Sequence, residues 1–403
     1  MEILQKLFES SGFAGEASLA WQNITMFIVG GILITLAIRK NFEPLLLVPI
    51  GFGAILANIP GAEMVANDED LYPVDAKDKW PLFAFIYNYA VSKAELLPPI
   101  IFMGVGALTD FRPLLSRPIT FLLGAAAQLG IFFAALGAFY LSVLVGKNPG
   151  EIFSMEQAAA IGIIGGADGP TTIFLTAKLA PELLGAVAVA AYSYMALVPV
   201  IQPPIIKLLT TQKEREIDMP QARPVSKAAV LIFPVATCLI TVLFIPASGP
   251  LLGMLMFGNL LRESGVTQRL SSTASGPLIN IVTIFLGLIV GATMEGTAFL
   301  KGSTLAILAL GMVAFCLSTA GGVVFAKLLN LVLPSGKKIN PCIGAAGVSA
   351  VPMAARVVQS FVSGKTNGRV NPLMAAMGPN VAGVVGSAVT AGVFLTLIEA
   401  ISK

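Results

Sequence analysis

Long apolar stretches separated by short polar ones recur along the whole chain. Those at 24–38, 45–59, 119–145, 183–209, 228–245, 278–290, 304–333 and 381–398 are candidates to span a bilayer, which a helix crosses with about 20 predominantly apolar residues. The pattern predicts an all-α polytopic membrane protein with no soluble domain left over. Two glycine-rich interruptions, at 158–178 and 340–356, are too short for a pair of full crossings and read as broken-helix re-entrant hairpins. The first runs Ile161-Gly162-Ile163-Ile164-Gly165-Gly166-Ala167-Asp168-Gly169-Pro170. An ionisable residue on such a background costs about 2.5–3.5 kcal/mol, so Asp168 marks an ion or proton site by default.

Composition narrows the chemistry. Of the 403 residues 56% are hydrophobic and 12% charged, outside the range of an ordinary soluble domain. The net charge of +3 is small and its basic residues are dispersed, which leaves nucleic-acid binding without support. Histidine is absent, which removes His-based acid–base catalysis, Ser-His-Asp triads and His-containing metal motifs. Cys238, Cys316 and Cys342 lie far apart in apolar surroundings and read as packing residues. The opening 1–18, with Glu2, Glu9 and Glu16, lacks the basic region of a cleaved signal, so insertion is expected to rely on the first span.

The chain also matches itself. Gly106-Ala107-Leu108-Thr109-Asp110 aligns with Gly291-Ala292-Thr293-Met294-Glu295, and Ile161-Gly162, Gly165 and Pro170 align with Ile343-Gly344, Gly347 and Pro352. Upstream, Pro44-Leu45-Leu46 and Phe52-Gly53 resemble Pro250-Leu251-Leu252 and Phe257-Gly258, the offset shifting because the polar loop 61–79 occurs only in the first half. Four segments follow: an N-terminal segment (1–18), a first membrane repeat (19–209), a charged linker (210–227) with Pro220 and Pro224, and a second repeat (228–403). With about five crossings per half, an odd number, the two halves face opposite ways. Such inverted repeats place broken helices and binding sites near the bilayer midplane.

Orientation follows from basic residues in alternate loops. With Met1 outside, the inside loops receive Arg39, Lys40, Arg112, Arg117, Lys213, Arg215, Arg223, Lys227, Arg262, Arg269, Lys337 and Lys338, and an outside loop receives Asp68-Glu69-Asp70. Both termini are therefore expected outside.

Several polar residues compete between functional and structural roles. Asp168 before Gly169-Pro170 can cap the following helix as well as bind an ion. In the second hairpin Ala350 takes the place of Asp168, so the halves are chemically unequal. Asn340, Ser349 and freed carbonyls offer the hard oxygens that sodium prefers, although Asn340 is also a natural helix cap. Arg356 could hold an anionic group or reach the membrane interface. Asn371 and Asn380, flanking a further Gly378-Pro379 break, coordinate an ion or bridge helices. Tyr192 and Tyr194 could pass a proton or anchor at the interface. Met254 to Glu263 reads as a buried helix ending in an Arg-Glu pair, and Pro98-Pro99 and Pro203-Pro204 as residues that shape helix ends.

These motifs resemble the β subunits of biotin-dependent, sodium-pumping decarboxylases, the pumps for oxaloacetate, methylmalonyl-CoA, glutaconyl-CoA and, more distantly, malonate. Gly165-Gly166-Ala167-Asp168-Gly169-Pro170-Thr171, Gly258-Asn259-Leu260-Leu261-Arg262-Glu263, Ser349-Ala350-Val351-Pro352-Met353-Ala354-Ala355-Arg356 and Gly378-Pro379-Asn380-Val381-Ala382-Gly383 carry the resemblance. It implies that a carboxyltransferase partner loads biotin and that this chain decarboxylates carboxybiotin while exporting sodium and consuming an external proton. It implies catalytic roles for Asp168, Tyr194, Ser349 and Arg356. Asn340, Gly344 and Arg356 would meet the carboxybiotin, and Asp168, Asn340, Ser349 and Asn380 would bind sodium. An elevator-like scaffold and core, a homotrimer, a small single-span γ or δ subunit and a bacterial inner-membrane location follow from the same resemblance. Because Met353-Ala354-Ala355-Arg356 lacks a lysine to receive biotin, the biotin must arrive on another chain. A secondary sodium-coupled anion transporter would use the same hairpins, and a bare membrane scaffold would tolerate loss of both Asp168 and Asn340.

Overall fold

The computed structural model describes residues 20–40, 43–60, 96–219 and 223–401, together with 86, 90 and 91. The N-terminal segment, the loop 61–79 with its acidic triplet, Pro220 and the C-terminal residues 402–403 lie outside the described residues.

Thirteen helices carry the description that follows: α1 (Trp21–Lys40), α2 (Pro44–Ala57), α3 (Leu97–Leu108), α4 (Thr120–Leu144), α5 (Met155–Gly162), α6 (Gly169–Leu179), α7 (Leu184–Leu209), α8 (Lys227–Phe244), α9 (Gly249–Glu263), α10 (Gln268–Ala292), α11 (Gly302–Val332), α12 (Met353–Lys365) and α13 (Leu373–Ile401). No strand occurs among the described residues. Among the described residues seven helices, α1, α4, α7, α8, α10, α11 and α13, are long and apolar enough to cross a bilayer; α2 and α3 are shorter. Backbone groups in hydrocarbon must be satisfied within their own segment, which is why apolar runs of this length become helices. The outward faces are apolar: Ile28 and Ile32 on α1, Leu243 and Phe244 on α8 and Leu331 on α11 are all exposed, as on a surface that meets lipid.

Two close helix crossings tie the halves together. A side chain on Gly53 of α2 would strike Leu288 O of α10, and one on Gly291 of α10 would strike Ile50 O. The α3–α9 crossing repeats this, with Gly106 against Leu255 O and Gly258 against Met103 O. Small residues let two backbones approach where no hydrophobic force distinguishes helix from lipid. Under the internal sequence match Gly53 corresponds to Gly258 and Gly106 to Gly291, so each crossing is the other with the halves exchanged. Asparagines clamp both: Asn58 Nδ2 donates to Met294 O at 2.8 Å and Asn259 Nδ2 to Thr109 O at 2.8 Å.

Prolines depart from the sequence-based expectation. Pro199, Pro203 and Pro204 lie inside α7, and α13 runs unbroken through Pro379. Neither pair ends a helix, because packed neighbours stabilise a membrane helix that has lost single hydrogen bonds. Gly378 instead makes room for Thr120, whose Oγ1 lies 2.5 Å from where a Cβ would stand. Pro98 and Pro99 do sit in the first turn of α3, and α9 ends with Arg262 Nε 3.5 Å from Glu263 Oε1.

The linker is folded against the second half. Thr211 and Glu214 form a capping box on the short helix Gln212–Arg215, and Glu214 pairs with Lys327 of α11 at 3.2 Å. The buried Arg215 donates to Lys207 O (2.8 Å), Thr210 Oγ1 (2.9 Å) and Thr210 O.

Candidate ion-binding site

The first hairpin is built to break at one point. Ser154 and Gln157 form a capping box that starts α5. A 3₁₀ turn, Ile163–Gly166, ends at Ala167, which adopts left-handed dihedrals (φ 51°, ψ 44°) and turns the chain. Asp168 follows with extended dihedrals (φ −123°, ψ 96°) and caps α6, its Oδ1 accepting from Thr171 N at 3.2 Å. Capping and site formation therefore coexist in one carboxylate. Asp168 is 5% exposed. Its second oxygen accepts from Ser387 Oγ of α13 at 2.5 Å, and the Thr171 hydroxyl stands beside the same carboxylate. Gly169 is obligatory here, because a Cβ would overlap the ring of Tyr192 on α7.

The second hairpin has no carboxylate and is differently held. Asn340 caps the 3₁₀ segment Pro341–Gly347, all of it buried, through Oδ1 to Cys342 N at 3.1 Å. Gly344 and Gly322 of α11 meet backbone to backbone, each blocking a side chain on the other. Beyond Gly347, Val348 is extended (φ −73°, ψ 150°), and the chain then turns, Val351 N donating to Ser349 O at 2.8 Å. Asn380 of α13 gathers this stretch, Nδ2 donating to Ala346 O (3.0 Å), Val348 O (2.7 Å) and Ala350 O (3.5 Å).

One backbone bond joins the hairpins: Ser349 N donates to Gly166 O at 2.8 Å. Asp168, Ser349 and Asn380 thus belong to a single connected group, two hairpin tips against α13. Buried polar atoms normally find partners, yet in this group Ser349 Oγ and Asn380 Oδ1 have none, and neither do Gln128 Oε1 of α4 or Tyr192 OH beside it. Neutral hard oxygens around one carboxylate suit a small monovalent or oxygen-preferring cation. Among the described residues no three of His, Cys, Asp and Glu gather as a transition metal would require.

Other residues singled out from the sequence lie apart from this group. Tyr194 turns the other way, its OH donating to Leu308 O of α11 and its ring lying against Gly311. Asn340 uses its amide on Arg215 O (3.0 Å) and Ile217 O (3.1 Å), so it pins the linker rather than facing Asp168. Gly344 acts through packing on α11. Arg356, in the first turn of α12, is exposed and makes no ion pair or side-chain hydrogen bond among the described residues. Tyr192, offered by the sequence as a proton-passing group, does face the first hairpin, whereas Ser387 and Gln128 carry no sequence signal; the Ser387–Asp168 contact spans 219 positions, beyond any local motif.

Comparison with known proteins agrees with this geometry. Over residues 22–398 the chain matches the family described as the Na+-transporting oxaloacetate decarboxylase beta subunit. It is 50% identical to the oxaloacetate decarboxylase beta chain of Klebsiella pneumoniae, covering 99% of this chain and 100% of that one. It is similarly 50% identical to the methylmalonyl-CoA decarboxylase subunit beta of Propionigenium modestum (98% and 99% covered) and 52% identical to that of Veillonella parvula (98% of each). A membrane-embedded carboxylate set among idle oxygens, on a chain matched end to end, leads to one assignment: the protein belongs to the family of β subunits of sodium-transporting decarboxylases.

Proposed function

We propose that this chain is the membrane subunit of a decarboxylase sodium pump and that Asp168, Ser349 and Asn380 hold the sodium it exports. The observation that carries this reading is the set of idle buried oxygens on residues packed with Asp168, whose carboxylate Ser387 ties to α13 and whose hairpin the Ser349 N–Gly166 O bond ties to the second one. A carboxylate with neutral donors can accept sodium or a proton in turn, and that exchange would couple the two flows: proton entry releases sodium outward and then serves the decarboxylation.

Biotin, carried on a carboxyltransferase partner, would supply the carboxyl group as its carbamate, whose loss as CO2 leaves a ureido nitrogen that takes one proton. The free, exposed guanidinium of Arg356 fits the carbamate's negative charge. Asn340 and Gly344, by fixing the hairpin's entry, would orient that approach, and Tyr194 would brace α7 against α11 as the core moves. Which acid is consumed would be set by the partner.

The wider architecture follows. The exchange of partners between the α2–α10 and α3–α9 crossings supports two inverted repeats, 19–209 and 228–403, joined by the linker 210–227. We read them as an elevator-like scaffold and core, in a homotrimer with a small single-span γ or δ subunit, in a bacterial inner membrane with both termini outside. The alternative of a plain sodium-coupled anion transporter is not favoured by the family assignment.

The test is the complete decarboxylase complex in vesicles with Asp168→Asn. Sodium uptake during decarboxylation and sodium stimulation of CO2 release should both disappear. Pumping at the native rate by this variant would refute the assignment.

A further inference from the structure

Gln128 interrupts α4, standing between Thr120–Ala127 and Leu129–Leu144. It is 5% exposed, and its Nε2 donates to Gly124 O (3.2 Å) and to Gly383 O of α13 (3.4 Å). Those two acceptors fix the amide's orientation, because the opposite one would set oxygen against oxygen. Oε1 is therefore turned away from α13's backbone and has no partner. What it faces is the tip of the first hairpin. The point where a Cβ on Gly166 would stand is 3.8 Å from Gln128 Oε1 and 3.6 Å from Cβ of Ser387, the residue that donates to Asp168. Gly166 O is the acceptor of Ser349 N. The absence of side chains at Gly166 and Gly386 creates this space, since a Cβ at 386 would lie 3.1 Å from Gln128 Nε2.

We infer that Gln128 contributes a carbonyl oxygen to the sodium site. A carboxylate alone supplies one anionic ligand; an added neutral carbonyl supplies a cation with a further oxygen. The inference rests on the reading of Asp168 as a sodium carboxylate. A purely mechanical role for Gln128, tying α4 to α13 through Nε2, makes different predictions.

Three variants of the intact complex separate them, read by sodium-dependent thermal stabilisation and by ²²Na binding rather than by turnover. Gln128→Met, similar in length but without oxygen, should raise the half-saturating sodium concentration fivefold or more. Gln128→Glu keeps an acceptor and loses both donors, so its half-saturating sodium should rise less than fivefold even where its melting point falls. A smaller rise in Gln128→Met, or a rise of fivefold or more in both variants, overturns the inference. Asp168→Asn should abolish sodium stabilisation; if it does not, the site reading itself fails, whatever Gln128 does.

Discussion

Two polar clusters stand at opposite ends of the second hairpin, and they differ in completeness. Around Asn340 the amide serves three partners, Arg215 serves Lys207 and Thr210, Lys327 donates to Leu209 O at 3.0 Å, and Gln212 donates to Lys365 O at 2.9 Å. Around Asp168 polar oxygens are left over: the amide oxygens of Asn380 and Gln128 and the hydroxyls of Ser349, Thr171 and Tyr192. A satisfied network rigidifies what it connects, whereas idle buried acceptors cost free energy until a ligand meets them. The first cluster is a clamp and the second is a receptacle, although both were picked out by the same residue types.

Asn380 belongs to both kinds and gives the largest expected effect. Asn380→Ala removes an idle acceptor and strands the carbonyls of Ala346, Val348 and Ala350. Half-saturating sodium should rise at least about tenfold, one ligand being worth about 1.4 kcal/mol or more, and stability should fall by about 1–3 kcal/mol. A variant that loses stability but binds sodium normally would make Asn380 a clamp only, and the division between the clusters would move.

Asn340→Ala should lose stability alone. Two linker carbonyls and Cys342 N lose their partner, a cost of about 1–3 kcal/mol, while sodium affinity in the same thermal-shift titration stays within about twofold, the scatter of sites that share no contact. A tenfold weakening would mean that the hairpin transmits the state of the linker to Asp168.

The sequence made the clusters visible unequally. Asp168 was legible because a carboxylate in a glycine-rich apolar run is costly wherever it lies, and the two hairpins because glycine and proline interrupt otherwise continuous apolar runs. Gly53, Gly106, Gly258 and Gly291 all fall in the internally matched motifs, although the match by itself does not say which of them meet. Ser387 and Gln128 were silent: each is a single polar residue on a long helix, and only tertiary packing turns it toward the hairpin. Pro203, Pro204 and Pro379 misled for the converse reason, as local helix-breaking preference yields to packing in long buried helices. Asn340 carried either meaning until its partners in the linker were seen.

The smallest effect tests the edge of the clamp. Glu214 lies in the linker, outside the spans. Burial by itself would raise its pKa, but Thr211 N, the Thr211 hydroxyl and Lys327 outweigh it and hold the carboxyl below its ordinary value. A lowered folded pKa means stability present above the unfolded value and lost as pH falls through the folded one. Glu214→Gln should therefore lower stability near neutral pH by no more than about 1 kcal/mol, as the pair is partly solvated and screened by salt. The gap between native and variant melting points should close as pH drops below about 4, where the free carboxyl protonates. A gap constant across that range would mean that the substitution costs stability through altered packing or hydrogen-bond geometry rather than through lost charge, and would leave the Lys327 pair without a role in the clamp.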